Sequence, residues 1–152
     1  MDRRKFIAVG LASTAAGCGH ARSPWRFFTP EEARMVQAAC AHIIPEDRDA
    51  GATQAGVVVF IDRQLAGFYK PLRKIYRQGI ADLGPGFADL PAAAQLKALR
   101  SAEHNPRSKP FFDLLVAHTM QGFYGDPRHG GNRERASWKM LGVASPPLRG
   151  RA

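Results

Sequence analysis

Prolines punctuate this chain before anything else does. Pro30, Pro45, Pro71, Pro91, Pro106 and Pro110 all stand at the edges of apolar runs, and none interrupts one. Proline has no N–H to donate and clashes with the preceding turn, so it is tolerated at the first position of a helix and not in its interior. Between these marks apolar residues recur at three- and four-residue intervals, the period of an amphipathic helix. The pattern predicts a small all-α bundle of about five helices.

The first helix has the clearest start. In Thr29-Pro30-Glu31-Glu32 the threonine can cap, Pro30 suits the first helical position and Glu32 completes a capping box. It should run to about Ile44, with Ala33, Val36, Cys40 and Ile43 on one face, and Pro45 ends it. Ala55 to Phe68 gives a second helix. Val57–Ile61 has strand propensity, but Val58, Ile61, Leu65 and Phe68 follow helical spacing. A third runs from about Pro71 to Leu83, with Leu72, Ile75, Tyr76 and Ile80 inward and Arg73, Lys74 and Arg77 outward. Gly84-Pro85-Gly86 breaks it; with no preceding strand and no third glycine this is a connector, not a nucleotide loop. Pro91 opens a fourth helix, in which Leu96 and Leu99 pack. The fifth, from about Pro110 to Gly122, is the most apolar, and His118 on it reads as a satisfied or half-exposed histidine rather than a ligand. Cys40 reads as a core residue. At 152 residues and 45% hydrophobic the chain can bury one core.

The N-terminus belongs to a different class of signal. Arg3-Arg4-Lys5-Phe6-Ile7 leads a weakly apolar segment, Phe6 to Ala16, too short to span a bilayer as an ordinary helix. Arg3, Arg4 and Phe6 resemble the core of a twin-arginine export signal, which carries folded proteins across the bacterial cytoplasmic membrane. Ala15-Ala16-Gly17-Cys18 also resembles a lipoprotein processing box, which makes Cys18 a lipidation candidate; plain cleavage near Ala15 to Ala21 and an uncleaved anchor are the alternatives. The expected organisation is an export signal over 1–17, a linker over 18–28, a helical domain over 29–144 and a flexible tail over 145–152.

The net charge of +9 raises the question of nucleic acid. Basic residues are scattered among acids and no groove-reading motif accompanies them, so a solvated basic surface is expected and nucleic acid is not. A basic exported protein does suit an anionic membrane surface. The two cysteines, Cys18 and Cys40, lack the CxxC or CxxCH spacing of zinc, redox or c-type haem sites. GxGxxG, P-loop, GxSxG and HExxH motifs are also absent.

One polar constellation remains, in Gly122–Met140, which reads GFYGDPRHGGNRERASWKM. Asp126 and His129 could form an acid/base pair in a small stand-alone enzyme. The surrounding glycines, Gly122, Gly125, Gly130 and Gly131, and the Asp126-Pro127 turn argue instead for a shaped backbone, through positive φ angles. On that reading Phe123, Tyr124, Gly125, Asp126, Pro127, Arg128, Gly130, Gly131, Asn132 and Trp138 shape a loop or meet a partner, and the chain has no catalytic, cofactor-binding or metal residue of its own.

Several blocks carry a family likeness. They are Thr29-Pro30-Glu31-Glu32, Ile43-Ile44-Pro45, Ala55-Gly56-Val57 with Phe60-Ile61-Asp62, Gly122 through Pro127, Gly130-Gly131-Asn132, and Trp138-Lys139-Met140-Leu141-Gly142. In this order they resemble the gluconate 2-dehydrogenase subunit 3 family. His129 stands where the family often shows Tyr, and Ala136-Ser137 where a Gly commonly precedes the Trp. The resemblance implies a small, non-catalytic subunit of a membrane-associated dehydrogenase on the periplasmic side. Its implied partners are an FAD-dependent flavoprotein of the glucose-methanol-choline type, acting on gluconate, a sugar or a polyol, and a multihaem cytochrome c. FAD and haem c would then sit in those partners. The twin-arginine signal, read by its translocase, would export the flavoprotein together with this chain.

Overall fold

The computed structural model describes residues 23–144, and these form helices without a strand. The helices are α1 (Pro30–Ile43), α2 (Val57–Ala66), α3 (Arg73–Leu83), α4 (Ala92–His104), α5 (Lys109–Tyr124) and α6 (Ala136–Met140). The five expected helices are present, and α6 is a short sixth inside the stretch expected to be irregular.

Local chemistry sets the ends. Thr29 Oγ1 accepts from Glu32 N at 3.2 Å while Thr29 N donates to Glu32 Oε2 at 2.8 Å, closing the capping box of α1. Helix α2 starts later and ends earlier than its apolar run, because Gly56 holds φ at +70° and the chain leaves the helix at Gly67. The helical register therefore never reaches Phe68, which is 85% exposed rather than packed as expected. Leu96 also differs from expectation, lying 37% exposed on α4 while Leu99 is buried.

Helix α5 is the centre of the bundle, packing against α1, α2, α3, α4 and α6. Its buried face is Phe111, Leu115, His118, Thr119, Gly122 and Phe123, a stripe along one side. Burying each large side chain there contributes about 1.5–3 kcal/mol. Helix α3 crosses α5 at Gly79, where a Cβ would stand 1.9 Å from Phe111 Cγ. Only glycine admits the ring.

The packed unit extends upstream of Thr29, into the segment read as a linker. Phe28 is buried, and Trp25 and Phe27 lie against the core. Asp62, in the middle of α2 and only 2% exposed, fastens this arm. Its carboxylate accepts from three successive backbone N–H groups, Arg26 at 2.8 Å, Phe27 at 2.9 Å and Phe28 at 3.0 Å. Successive N–H groups pointing one way make a concavity for an anion, and here the anion is the protein's own.

Candidate functional site

The glycine-rich block begins on the last turn of α5. Phe123 is buried at 1%, whereas Tyr124 is exposed, so the two adjacent aromatics have opposite roles. At Gly122 a Cβ would meet the Phe60 ring at 2.9 Å, which brings α5 close to α2.

Beyond α5 the chain turns sharply and returns over it. Asp126 caps a short 3-10 turn, Pro127–His129, through Oδ1 accepting from Arg128 N at 2.9 Å. Its Oδ2 accepts from Arg128 Nε at 3.0 Å and Nη2 at 2.7 Å. These bonds to Arg128 hold the Asp126 carboxyl down at about 2, well below its usual range. Asp126 is thereby committed to Arg128, and His129 is exposed. The geometry assembles an ion-paired turn rather than a proton-transfer pair.

Gly130 sits at φ +108°, a backbone that L side chains rarely adopt. Gly131 has another reason to be glycine, since a Cβ there would stand 2.0 Å from the carbonyl oxygen of Gly122. The returning strand of chain thus lies against the backbone of α5. Of the four glycines expected to need positive φ, only Gly130 does; Gly122 and Gly131 serve close approach, and Gly125, extended beyond the helix end, also leaves no room for a Cβ against the Gln121 carbonyl oxygen.

Asn132 is the hub of the return. It is fully buried and left-handed, with φ +45° and ψ +43°. Its Nδ2 donates to Gly125 O at 2.9 Å and its Oδ1 accepts from Ser137 N at 3.0 Å. One side chain therefore ties the end of α5 to the start of α6. Next to it, Arg133 N donates to Ala55 O at 3.0 Å, joining the loop to the start of α2. Trp138 Nε1 donates to Tyr124 O at 3.0 Å, securing α6 on the end of α5. Glu134 and Arg135 are also left-handed, at φ +56° and +59°. Three such non-glycine residues in four positions cost about 1–2 kcal/mol each, so the surrounding bonds must over-determine this path.

Two buried polar features stand elsewhere; sequence reasoning missed the first and, of the second, expected a satisfied His118 and an inward Tyr76 without their bond. Asp62 was visible as a lone acid inside a strongly apolar helix, a position that demands a partner. The second is Tyr76 and His118, whose hydroxyl and Nδ1 are hydrogen-bonded at 2.9 Å inside the core. Tyr69 stacks on the His118 ring at 4.3 Å, and the Tyr76 ring lies parallel to it at 5.8 Å. Burial pushes His118 down to about 4, so it is neutral at pH 7. Cys40 is buried with its Sγ 3.2 Å from Thr119 Oγ1, whose proton goes to Leu115 O at 2.7 Å, and burial pushes the Cys40 thiol up to about 12. It is an inert core residue in this setting.

Among the described residues no group of three His, Cys, Asp or Glu is placed to hold a metal ion, and no helix is long and apolar enough to cross a membrane. Arg3, Arg4, Phe6 and Cys18 lie outside the described residues. A family profile described as gluconate 2-dehydrogenase subunit 3 matches residues 30–145, a span that takes in all six helices. No curated protein and no solved structure matches the chain closely enough to add to this. With the matched span covering the bundle and its whole C-terminal return, the chain belongs to the gluconate 2-dehydrogenase subunit 3 family.

Proposed function

We propose that this chain is the non-catalytic accessory subunit of a membrane-associated, FAD-dependent dehydrogenase acting on gluconate, a sugar or a polyol, and that it accompanies the folded flavoprotein through the twin-arginine route to the periplasmic side. Membership in a family named for the third subunit of gluconate 2-dehydrogenase implies a multisubunit dehydrogenase complex. The flavoprotein would bring FAD, a multihaem cytochrome c would take the electrons onward, and this chain would contribute shape and the export signal.

The Asn132 network is the observation that favours an accessory role. In the most distinctive block of the sequence, Asp126 and Arg128 bond to each other, Asn132 bonds only to backbone, and Trp138 bonds to the Tyr124 carbonyl. These groups hold a backbone path. The exposed apolar side chains beside that path are Met120 and Tyr124, one turn apart on α5, and Met140, Leu141 and Val143 at the end of α6. Exposed apolar groups around a rigid frame suit a subunit contact.

The test is genetic and enzymatic. Arg3→Lys with Arg4→Lys should strand both this chain and its flavoprotein in the cytoplasm, with periplasmic dehydrogenase activity lost. Activity that persists outside the cytoplasm contradicts the export role.

A further inference from the structure

Basic residues that look scattered in the sequence converge on one face. Lys70 opens a 3-10 turn, Lys70–Leu72, that runs directly into α3. Lys70, Arg73, Lys74 and Arg77 then follow i, i+3, i+4, i+7 spacing, which places them along one side of this continuous helix. Arg77 is paired with Glu32, whereas Lys70, Arg73 and Lys74 have no carboxylate partner among the described residues.

Two further features join this stripe. The Phe27 ring lies under it, 4.1 Å from the Arg77 guanidinium and 5.2 Å from that of Arg73. Arg73 Nε also donates to Leu65 O at 2.6 Å, so the turn Gly67-Phe68-Tyr69 is held beside the stripe. Phe68, at 85% exposure, is the most exposed of the large apolar side chains described. Asp62 fastens the arm carrying Phe27 beside this face, near where the described residues begin.

We infer that this face, with Phe68, Lys70 and Lys74 foremost and Arg73 and Phe27 behind them, rests on an anionic lipid surface. Basic residues close to anionic headgroups and an aromatic side chain projecting among them are the combination that holds a protein in the membrane interface. Lipid suits the face better than a protein partner because the sequence that leads into this arm, residues 1–22, carries a basic start, a weakly apolar segment over Phe6–Ala16 and the lipidation candidate Cys18. Cys18 stands five residues before Ser23, a separation of at most roughly 17 Å when extended. A lipid on Cys18 would therefore keep the stripe at the surface. The inference rests on the membrane reading of the proposed function.

Flotation of the full chain with vesicles tests it, using phosphatidylcholine alone and phosphatidylcholine with about a third phosphatidylglycerol. Lys70→Gln with Lys74→Gln should lower partitioning onto the anionic vesicles by about 30-fold, at about fivefold per basic residue. Phe68→Ser should lower it independently of salt. The control pair Lys97→Gln with Arg100→Gln, exposed on α4, makes the same change in net charge and should leave binding in place. Equal losses in the control and the stripe variant overturn the inference, as does unchanged binding by the stripe and Phe68 variants. Intact flotation with loss of co-purifying flavoprotein also overturns it, by making the face a protein contact. A wild-type chain that floats with neither vesicle sinks the membrane reading itself, a result distinct from wild-type flotation that ignores the stripe.

Discussion

Replacing Asn132 by alanine removes one buried and one half-buried hydrogen bond and leaves a left-handed residue without its reason. Ser137 N–H, fully buried, loses its acceptor, and Gly125 O loses a donor. Leaving buried groups unsatisfied costs about 1–3 kcal/mol each. Holding alanine at φ +45° adds about 1–2 kcal/mol. We expect a total near 4 kcal/mol, a large share of the roughly 5–15 kcal/mol available to such a domain. Urea unfolding followed by circular dichroism measures it, and the melting temperature should fall by about 10–15 °C. Asn132→Gly separates the two contributions. It loses the same bonds but adopts the left-handed backbone freely, so it should be the more stable variant by about 0.5–1 kcal/mol, reversing the usual order of alanine over glycine. An alanine variant within about 1 kcal/mol of wild type, or one more stable than the glycine variant, refutes the reasoning.

Three other outcomes follow from the same geometry. Asp62→Ala should free the 23–28 arm, with the amides of Arg26, Phe27 and Phe28 losing hydrogen-exchange protection and stability falling by about 3–5 kcal/mol; amides that stay protected would show another anchor for the arm. Gly131→Ala should be more damaging than Gly84→Ala, because the first places a Cβ 2.0 Å from backbone while the second meets nothing within 4 Å and loses only its φ of +86°; equal melting temperatures contradict the close approach. His118 makes stability pH-dependent: its folded value of about 4 lies below the usual 6.5, so the unfolded chain binds more protons between those values. Stability should be fully present above about 6.5 and fall by about 3 kcal/mol toward pH 4. His118→Phe should flatten that window of the profile, and an unchanged slope refutes the assignment.

Much of the bundle was legible because prolines and caps mark helix ends by local chemistry. The Thr29 capping box needs only its own four residues, and it stands as expected. Phe68 was misplaced because periodicity extends through Gly67 while the backbone does not. Helix α6 was hidden by its entry: Asn132, Glu134 and Arg135 are left-handed, which no propensity of Glu or Arg announces. In the C-terminal block the sequence showed that shape mattered but not how. Opposite exposures for Phe123 and Tyr124 follow from their places on the last turn of α5, and the two kinds of glycine separate only once α5 and the returning chain are seen together. Arg73, Lys74 and Arg77 were legible as an outward set, but Lys70 was not, because the stripe's spacing crosses from a 3-10 turn into α3; the arm was hidden because Asp62 acts on residues more than thirty positions away.

The proposed role of this chain is that of a companion to a flavoprotein, with no turnover of its own. Purifying an affinity-tagged full chain from membranes tests it most directly, reading protein composition and the flavin absorbance of the eluate together with dehydrogenase activity toward gluconate and related polyols. The expected eluate is a fixed-ratio complex with a flavin-bearing subunit, with activity that follows that subunit when the two are separated and that survives His129→Ala. A chain that elutes alone, or an activity that stays with it and is lost in His129→Ala, contradicts the account.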